Sequence, residues 1–167
     1  MCAHGGASSS REASDLVLAA QKFDQGYATT EYLAAAMLDQ AWHTIGVAQA
    51  PAAKDVASFE ANALKQAGID YTPVPTRYHS TYFSHVFSGG YAASYYAYLW
   101  SEVIDDDAYY WFKEHGGMTR ANAQRFRDMI LSRGGSLDPA AMYRAFRGRD
   151  ASVEPLLIER GLKGTTK

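Results

Sequence analysis

Cysteine is almost missing from this 167-residue chain: Cys2 is the only one, so no internal disulfide can form and no thiolate zinc site can be built. Long apolar runs are missing as well. No stretch approaches the ~18 residues that a membrane-spanning helix needs, and the first residues lack the basic start and apolar run of a signal peptide. Neither sign of charge is in excess: 16 basic residues stand against 18 acidic ones, for a net charge of −2, which leaves no basic footprint for a nucleic acid. These absences describe a soluble chain, expected in the cytoplasm with the periplasm left open, whose partners include neither membrane nor nucleic acid.

Catalytic signatures are equally scarce. There is no H-E-x-x-H, no phosphate-binding glycine loop and no G-x-S-x-G elbow. The acidic run Asp105, Asp106, Asp107 lacks the glycine and spaced oxygen ligands of a calcium loop, so it reads as a solvated face. Of the five histidines, His79 and His85 stand six apart near a loop. That spacing makes a poor metal pair, and capping, packing or a hydrogen bond to substrate suits them better. No metal ligand set is assigned.

What the chain does have is helical pattern. Residues 1–10, "MCAHGGASSS", hold almost nothing to bury and read as a flexible leader; residues 11–167 read as one helical domain. "SDLVLAAQKF" is helix-like. "ATTEYLAAAMLDQAWHTIG" has Thr29 or Thr30 for an N-cap and Gly46 for a stop, and "AAKDVASFEANALKQAGI" ends on Gly68. Pro73 and Pro75 then interrupt the pattern. From Gly90 to Lys113 no further glycine or proline occurs, which predicts the longest helix. Beyond it, Thr119 caps a segment with Phe126, Met129 and Ile130 on one face, Asp138 and Pro139 open another that closes at Gly148, and Ser152, Pro155 and Gly161 bracket a last short one. No segment reads as a strand. The expected fold class is all-α, a multi-helix bundle.

Within the long predicted helix, Tyr91, Tyr95, Tyr98 and Glu102 fall in one wedge of about 60° at ~100° per residue. Tyr96, Leu99, Trp100 and Val103 occupy a neighbouring arc suited to a packed core. Spacing alone leaves two readings of the first wedge: half-buried rings with satisfied hydroxyls, or a row of O–H donors lining a cleft. The preceding Gly89 and Gly90 allow a ligand or another backbone to approach closely, and also suit an ordinary turn.

The segments "KFDQGYATTEYLAAAMLDQAWH", "RYHSTYFSHVFSGGYAASYYAYLWSEVIDDDA", "RFRDMILSRGGSLDP" and "FRGRDASVEPLLIERGL" carry a resemblance across nearly the whole chain. It resembles the C-terminal part of the bacterial dipeptidyl carboxypeptidases, or peptidyl-dipeptidases, zinc metallopeptidases of the thimet oligopeptidase and oligopeptidase A family. The resemblance implies a two-lobed, nearly all-helical enzyme that releases dipeptides from the C-terminus of oligopeptides. Its zinc is held by H-E-x-x-H and a downstream glutamate, both upstream of the segment matched here, so zinc belongs to the intact enzyme and this chain alone is expected to be inactive. By the same resemblance, His85 and Tyr98 hydrogen-bond the scissile carbonyl as it becomes an oxyanion, and Tyr91 contacts substrate from the glycine-rich loop. Tyr95, Gly89, Gly90 and His79 line the same cleft. The implied partners are an oligopeptide and the N-terminal catalytic part. The alternatives are a peptide-binding module without catalysis and a self-associating bundle, a homo-oligomer that buries an exposed apolar patch.

Overall fold

The computed structural model describes residues 6–164. Residues 1–5 of the expected leader lie outside them, whereas Gly6 already opens the first helix, α1 (Gly6–Ala20). No strand occurs among the described residues, and the fold class is all-α. Two compact units divide the chain, one ending at Tyr98 and the other beginning at Leu99.

The first unit is built on α2 (Gln25–Thr44), α3 (Val56–Gln66) and the single turn of α4 (Ser84–Phe87). The alanine-rich middle of α2 buries Ala34, Ala35, Ala36 and Leu38. Small side chains there leave room for large ones opposite: Phe83, Val86 and Tyr95 pack on Ala35 and Ala36, with Tyr32 and Tyr78 at the edge. Trp42 of α2 meets Phe59 of α3 at 4.2 Å between ring centroids, and α3 ends just before Gly68, which takes the left-handed φ of +69°. The start of α2 corrects an expectation. Asp24, at φ +57°, supplies the break between α1 and α2, so the helix begins at Gln25 and Thr29 and Thr30 are inside it. Leu16, Val17 and Leu18 of α1, and Phe23 after it, are exposed.

The second unit takes most of α5 (Ala97–Glu114), then α6 (Arg120–Phe126), α7 (Pro139–Arg147) and α8 (Glu154–Glu159). Capping residues fall where local chemistry asks for them. Thr119 accepts from the Asn122 N–H at 3.2 Å and Asp138 from the Ala141 N–H at 2.7 Å. Pro139 opens α7 and Gly148 closes it at φ +86°. α6 continues into a π turn over Arg127–Leu131, which brings Met129 and Ile130, with Phe126, against a core of Ala108, Trp111, Phe112, Tyr143 and Phe146.

Two further expectations are corrected in these units. Asp107 is not on a solvated face. It is fully buried, and its carboxylate accepts from the Tyr143 hydroxyl at 2.7 Å, Arg147 Nε at 3.2 Å, Arg149 Nη2 at 2.6 Å and Nη1 at 2.9 Å, and the Ser152 N–H at 3.2 Å. The run of three acids conceals this because helical rotation separates neighbours by ~100°: Asp105 is exposed and Asp107 points into the core. Nor is Gly90 to Lys113 one helix. Residues 92–96 form turns, α5 starts at Ala97 with 18 residues, and α2, with 20, is longer.

Candidate functional site

The turn that replaces the expected helix is made by a residue outside it. Ala93 has a φ of +56°, which a right-handed helix cannot contain. Its N–H donates to Asp39 Oδ1 at 2.9 Å, the Tyr95 N–H donates to Asp39 Oδ2 at 2.9 Å, and Gln40 Nε2 donates to the Ala93 carbonyl at 2.8 Å. The Tyr32 hydroxyl donates to the Tyr95 carbonyl. Donors and acceptors that would have closed helical rings are thus spent on α2, and the backbone turns instead. Asp39 is fully buried, with His43 Nδ1 at 2.8 Å from its Oδ1.

This turn sorts the tyrosines differently from the helical wheel. Tyr95 is 3% exposed and takes the core position, stacked on Tyr32 at 5.0 Å and edge-on to Phe83 at 4.9 Å. Burial pushes its phenol up to about 12. It therefore takes a core position, whereas Tyr96 and Trp100, expected in the core, are 52% and 53% exposed. The reason is geometric: a helical wheel assumes ~100° per residue, and the turn breaks that count between Tyr91 and Ala97. Glu102, placed on the tyrosine face by the wheel, is committed to Arg160, whose Nε and Nη2 lie 3.0 and 2.5 Å from its oxygens.

Tyr91 and Tyr98 are brought together. Both are exposed, their rings stack at 5.2 Å, and Tyr98 also meets buried Tyr95 edge-on at 5.5 Å. The hydrogen bond with Tyr91, ahead of burial, raises the Tyr98 phenol above its ordinary value. It is therefore an O–H donor throughout the neutral range.

His85, on α4, meets the Tyr95 ring at 5.6 Å and the Tyr78 ring at 4.9 Å. Its Nδ1 is buried without a hydrogen-bond partner. In the neutral ring the proton then belongs on Nε2, because an N–H at Nδ1 would find no acceptor. His85 and Tyr98 thus both meet the buried Tyr95 ring, and Tyr91 joins them through its stacking on Tyr98.

The glycine pair serves this arrangement. The Tyr91 N–H donates to the His85 carbonyl at 3.0 Å, which folds the loop back over α4. A Cβ on Gly89 would lie 2.9 Å from that carbonyl oxygen and 3.0 Å from His85 Cα, so the close approach is to backbone. Gly90 needs its glycine for conformation alone, at φ +82° with open space around it. Gly89→Ala is accordingly expected to destabilise the first unit by ~1–3 kcal/mol, the range for overpacking. Gly90→Ala, with no clash to add, is expected to cost about 1–2 kcal/mol, that of the left-handed conformation alone. Urea unfolding of the two variants measures the difference.

His79 sits apart from this group. Its Nδ1 pairs with Glu60 Oε1, whose other oxygen accepts from the Ser80 N–H at 2.8 Å and hydroxyl at 2.9 Å, and its ring meets Tyr82 at 5.7 Å. The contacts of His85 are with Tyr78, Phe83 and Tyr95. Among the described residues no three His, Cys, Asp or Glu side chains converge to hold a metal ion. A structural or catalytic zinc needs at least three protein ligands, so these residues do not fit one. Likewise, no described helix is long and apolar enough to cross a membrane.

Asp39 is the residue that sequence reasoning missed. A signal was present: an acid inside "LAAAMLDQAW" stands three and four residues from Ala36 and Ala35, on the face that α2 buries.

A model of peptidase family M3 matches residues 4–162. The chain belongs to peptidase family M3. Among curated relatives in the family, the chain is 50% identical to the dipeptidyl carboxypeptidase of Salmonella typhimurium over 143 residues, which are 86% of this chain and 21% of that protein. It is 48% identical to the Escherichia coli dipeptidyl carboxypeptidase with the same coverage, and 45% identical over 95 residues to oligopeptidase A of Haemophilus influenzae, 57% of this chain and 13% of that one. The match fits a C-terminal part of an M3 peptidase, and the chain spans about a fifth of the length of the dipeptidyl carboxypeptidases.

Proposed function

We propose that this chain supplies the substrate-side donors of a zinc peptidase that releases dipeptides from the C-terminus of oligopeptides. The observation that carries the reading is the exposed, stacked pair of Tyr91 and Tyr98, with Tyr98 edge-on to buried Tyr95. Phenols in that position can do one thing well, which is to donate O–H to a peptide oxygen. A carbonyl oxygen under attack gains negative charge, and a donor already aimed at it stabilises the transition state more than the ground state. Tyr98 is assigned to that oxygen, with His85 Nε2–H as a second donor. Tyr91 orients Tyr98 and holds the substrate backbone from the glycine loop. In the intact enzyme zinc would supply the activated water; its ligands are not among the residues described here, and no step by these side chains passes through it.

Donors without a nucleophile have no developing charge to meet, so the chain by itself is expected to be inactive. The test is hydrolysis of a short N-blocked peptide by the purified chain, with and without added zinc, against a Tyr98→Phe control. No cleavage above that control is expected. Zinc-dependent cleavage that Tyr98→Phe abolishes would overturn the assignment of the chemistry to other residues. A titration with the same peptide, followed through the Tyr91 and Tyr98 side-chain resonances, should shift both, and should shift Tyr91 less in Tyr98→Phe. Unmoved resonances would argue against substrate contact. The exposed Leu16, Val17, Leu18 and Phe23 favour self-association as a second reading, and the mass of the chain in solution decides it.

A further inference from the structure

We infer that Asp39 is a positioning residue for the Tyr98 phenol, acting through the turn at Ala93. Two carboxylates are fully buried among the described residues, Asp39 and Asp107, and they are used differently. Asp107 is neutralised by Arg147 and Arg149, a cluster that ties its own unit together. Among the described residues Asp39 pairs with no arginine or lysine. Its ion-pairing partner among them is His43, and both of its oxygens accept from backbone N–H groups of one turn, those of Ala93 and Tyr95. An apolar side chain would serve the alanine face of α2 at lower desolvation cost. What the carboxylate adds is the shape of residues 91–96.

That shape decides where Tyr98 is. In a continuous helix, Tyr91 and Tyr98 would be seven residues and so ~10.5 Å apart along the axis, too far for stacked rings. With the turn in place the centroids are 5.2 Å apart. Ala93 holds a φ of +56°, a left-handed conformation that a residue with a side chain rarely adopts unassisted. Beside the turn's own Ser94 N–H to Tyr91 carbonyl bond, side chains of α2 hold it from outside: Asp39 accepts from the Ala93 and Tyr95 N–H groups, Gln40 donates to the Ala93 carbonyl and Tyr32 to the Tyr95 carbonyl. The inference deepens the peptidase reading by naming what keeps its Tyr98 donor in place, yet its geometry stands on this chain alone.

The test uses the full chain with ring-labelled tyrosine and follows Tyr98 by NMR. In the unsubstituted chain Tyr98 is expected to titrate above an ordinary tyrosine and to show ring contacts to Tyr91. Asp39→Asn offers one acceptor and one donor where two acceptors are needed. It is expected to bring Tyr98 back to the ordinary tyrosine range and to remove the Tyr91–Tyr98 ring contacts. Adding Ala93→Gly, which permits the left-handed turn without a clamp, is expected to restore part of both signals. Asp107→Asn, a comparable lesion in the other unit, is expected to leave Tyr98 unchanged. Gln40→Ala removes only the bond to the Ala93 carbonyl and provides a milder variant, with a smaller shift in the same direction. An unchanged Tyr98 in a folded Asp39→Asn chain, or in Gln40→Ala should Asp39→Asn not fold, overturns the inference. An equal loss in Asp107→Asn does so too, by reducing the effect to general destabilisation. None of these readouts involves cleavage, so the inference and the peptidase reading fail separately.

Discussion

Replacing Tyr98 by Phe in a complete peptidase is expected to lower kcat by about 100- to 1000-fold, some 2.7–4 kcal/mol of transition-state stabilisation, with KM changed only a few-fold. The assay is a chimera in which this chain's residues replace the matching 143-residue segment of the Salmonella dipeptidyl carboxypeptidase. The size follows from the role. A phenol that meets full negative charge only in the transition state takes its effect from kcat, whereas a phenol that merely holds substrate takes it from KM. Phe keeps the ring, and with it the stacking on Tyr91 and the edge contact with Tyr95, so packing is nearly conserved and the hydroxyl alone is removed. A rise in KM with kcat unchanged would turn Tyr98 from an oxyanion donor into a binding contact. An unchanged enzyme would remove it from the site.

Loss of the buried carboxylate in the second unit should be the largest stability effect. Asp107→Ala leaves Arg147, Arg149 and the Tyr143 hydroxyl without their shared acceptor inside the fold, and breaking such a buried pair costs ~3–5 kcal/mol. Urea unfolding followed by fluorescence of Trp111, which packs in that core, measures it. A change below about 1 kcal/mol would mean that the cluster relaxes into solvent and holds little together. The acid limb offers a second check. Burial disfavours charge on Asp107, but the hydrogen bonds from Arg149 and Tyr143 and the charges of both arginines outweigh it and hold the carboxyl below its usual value. Between that lowered value and the unfolded value near 3.9, the unfolded chain binds the extra proton. The contribution of Asp107 is therefore complete above about pH 4 and drains away as pH falls through the folded value. Asp107→Asn should flatten that part of the stability profile. Asp106 carries the opposite sign, since burial and the neighbouring charges of Glu102 and Asp105 raise its carboxyl, so Asp106→Asn should leave stability intact or improve it.

Local chemistry was legible in the amino-acid sequence at several helix ends, though not at the start of α2, where Asp24 and not Thr29 or Thr30 precedes the helix. Thr119 and Asp138 cap α6 and α7, Pro139 opens α7, and Gly68 and Gly148 follow helix ends, because a cap bonds to an N–H only two or three residues away. Helical spacing likewise found Phe126, Met129 and Ile130 on the buried side of the second unit. The all-α class follows from these, and the family from residue identities along the chain. Tertiary structure alone decided the rest. Residues 91–96 have the composition of a helix, yet side chains more than fifty positions earlier, Asp39 with Gln40 and Tyr32, bond to the backbone of Ala93 and Tyr95 where it turns. The exchange of Tyr95 into the core and of Tyr96 and Trp100 onto the surface goes with that turn. Asp107 makes the same point: its environment is set by Tyr143, Arg147 and Arg149, some forty residues on. A periodicity sees neighbours along one helix, and a buried charge is placed by partners that only the folded chain brings to it.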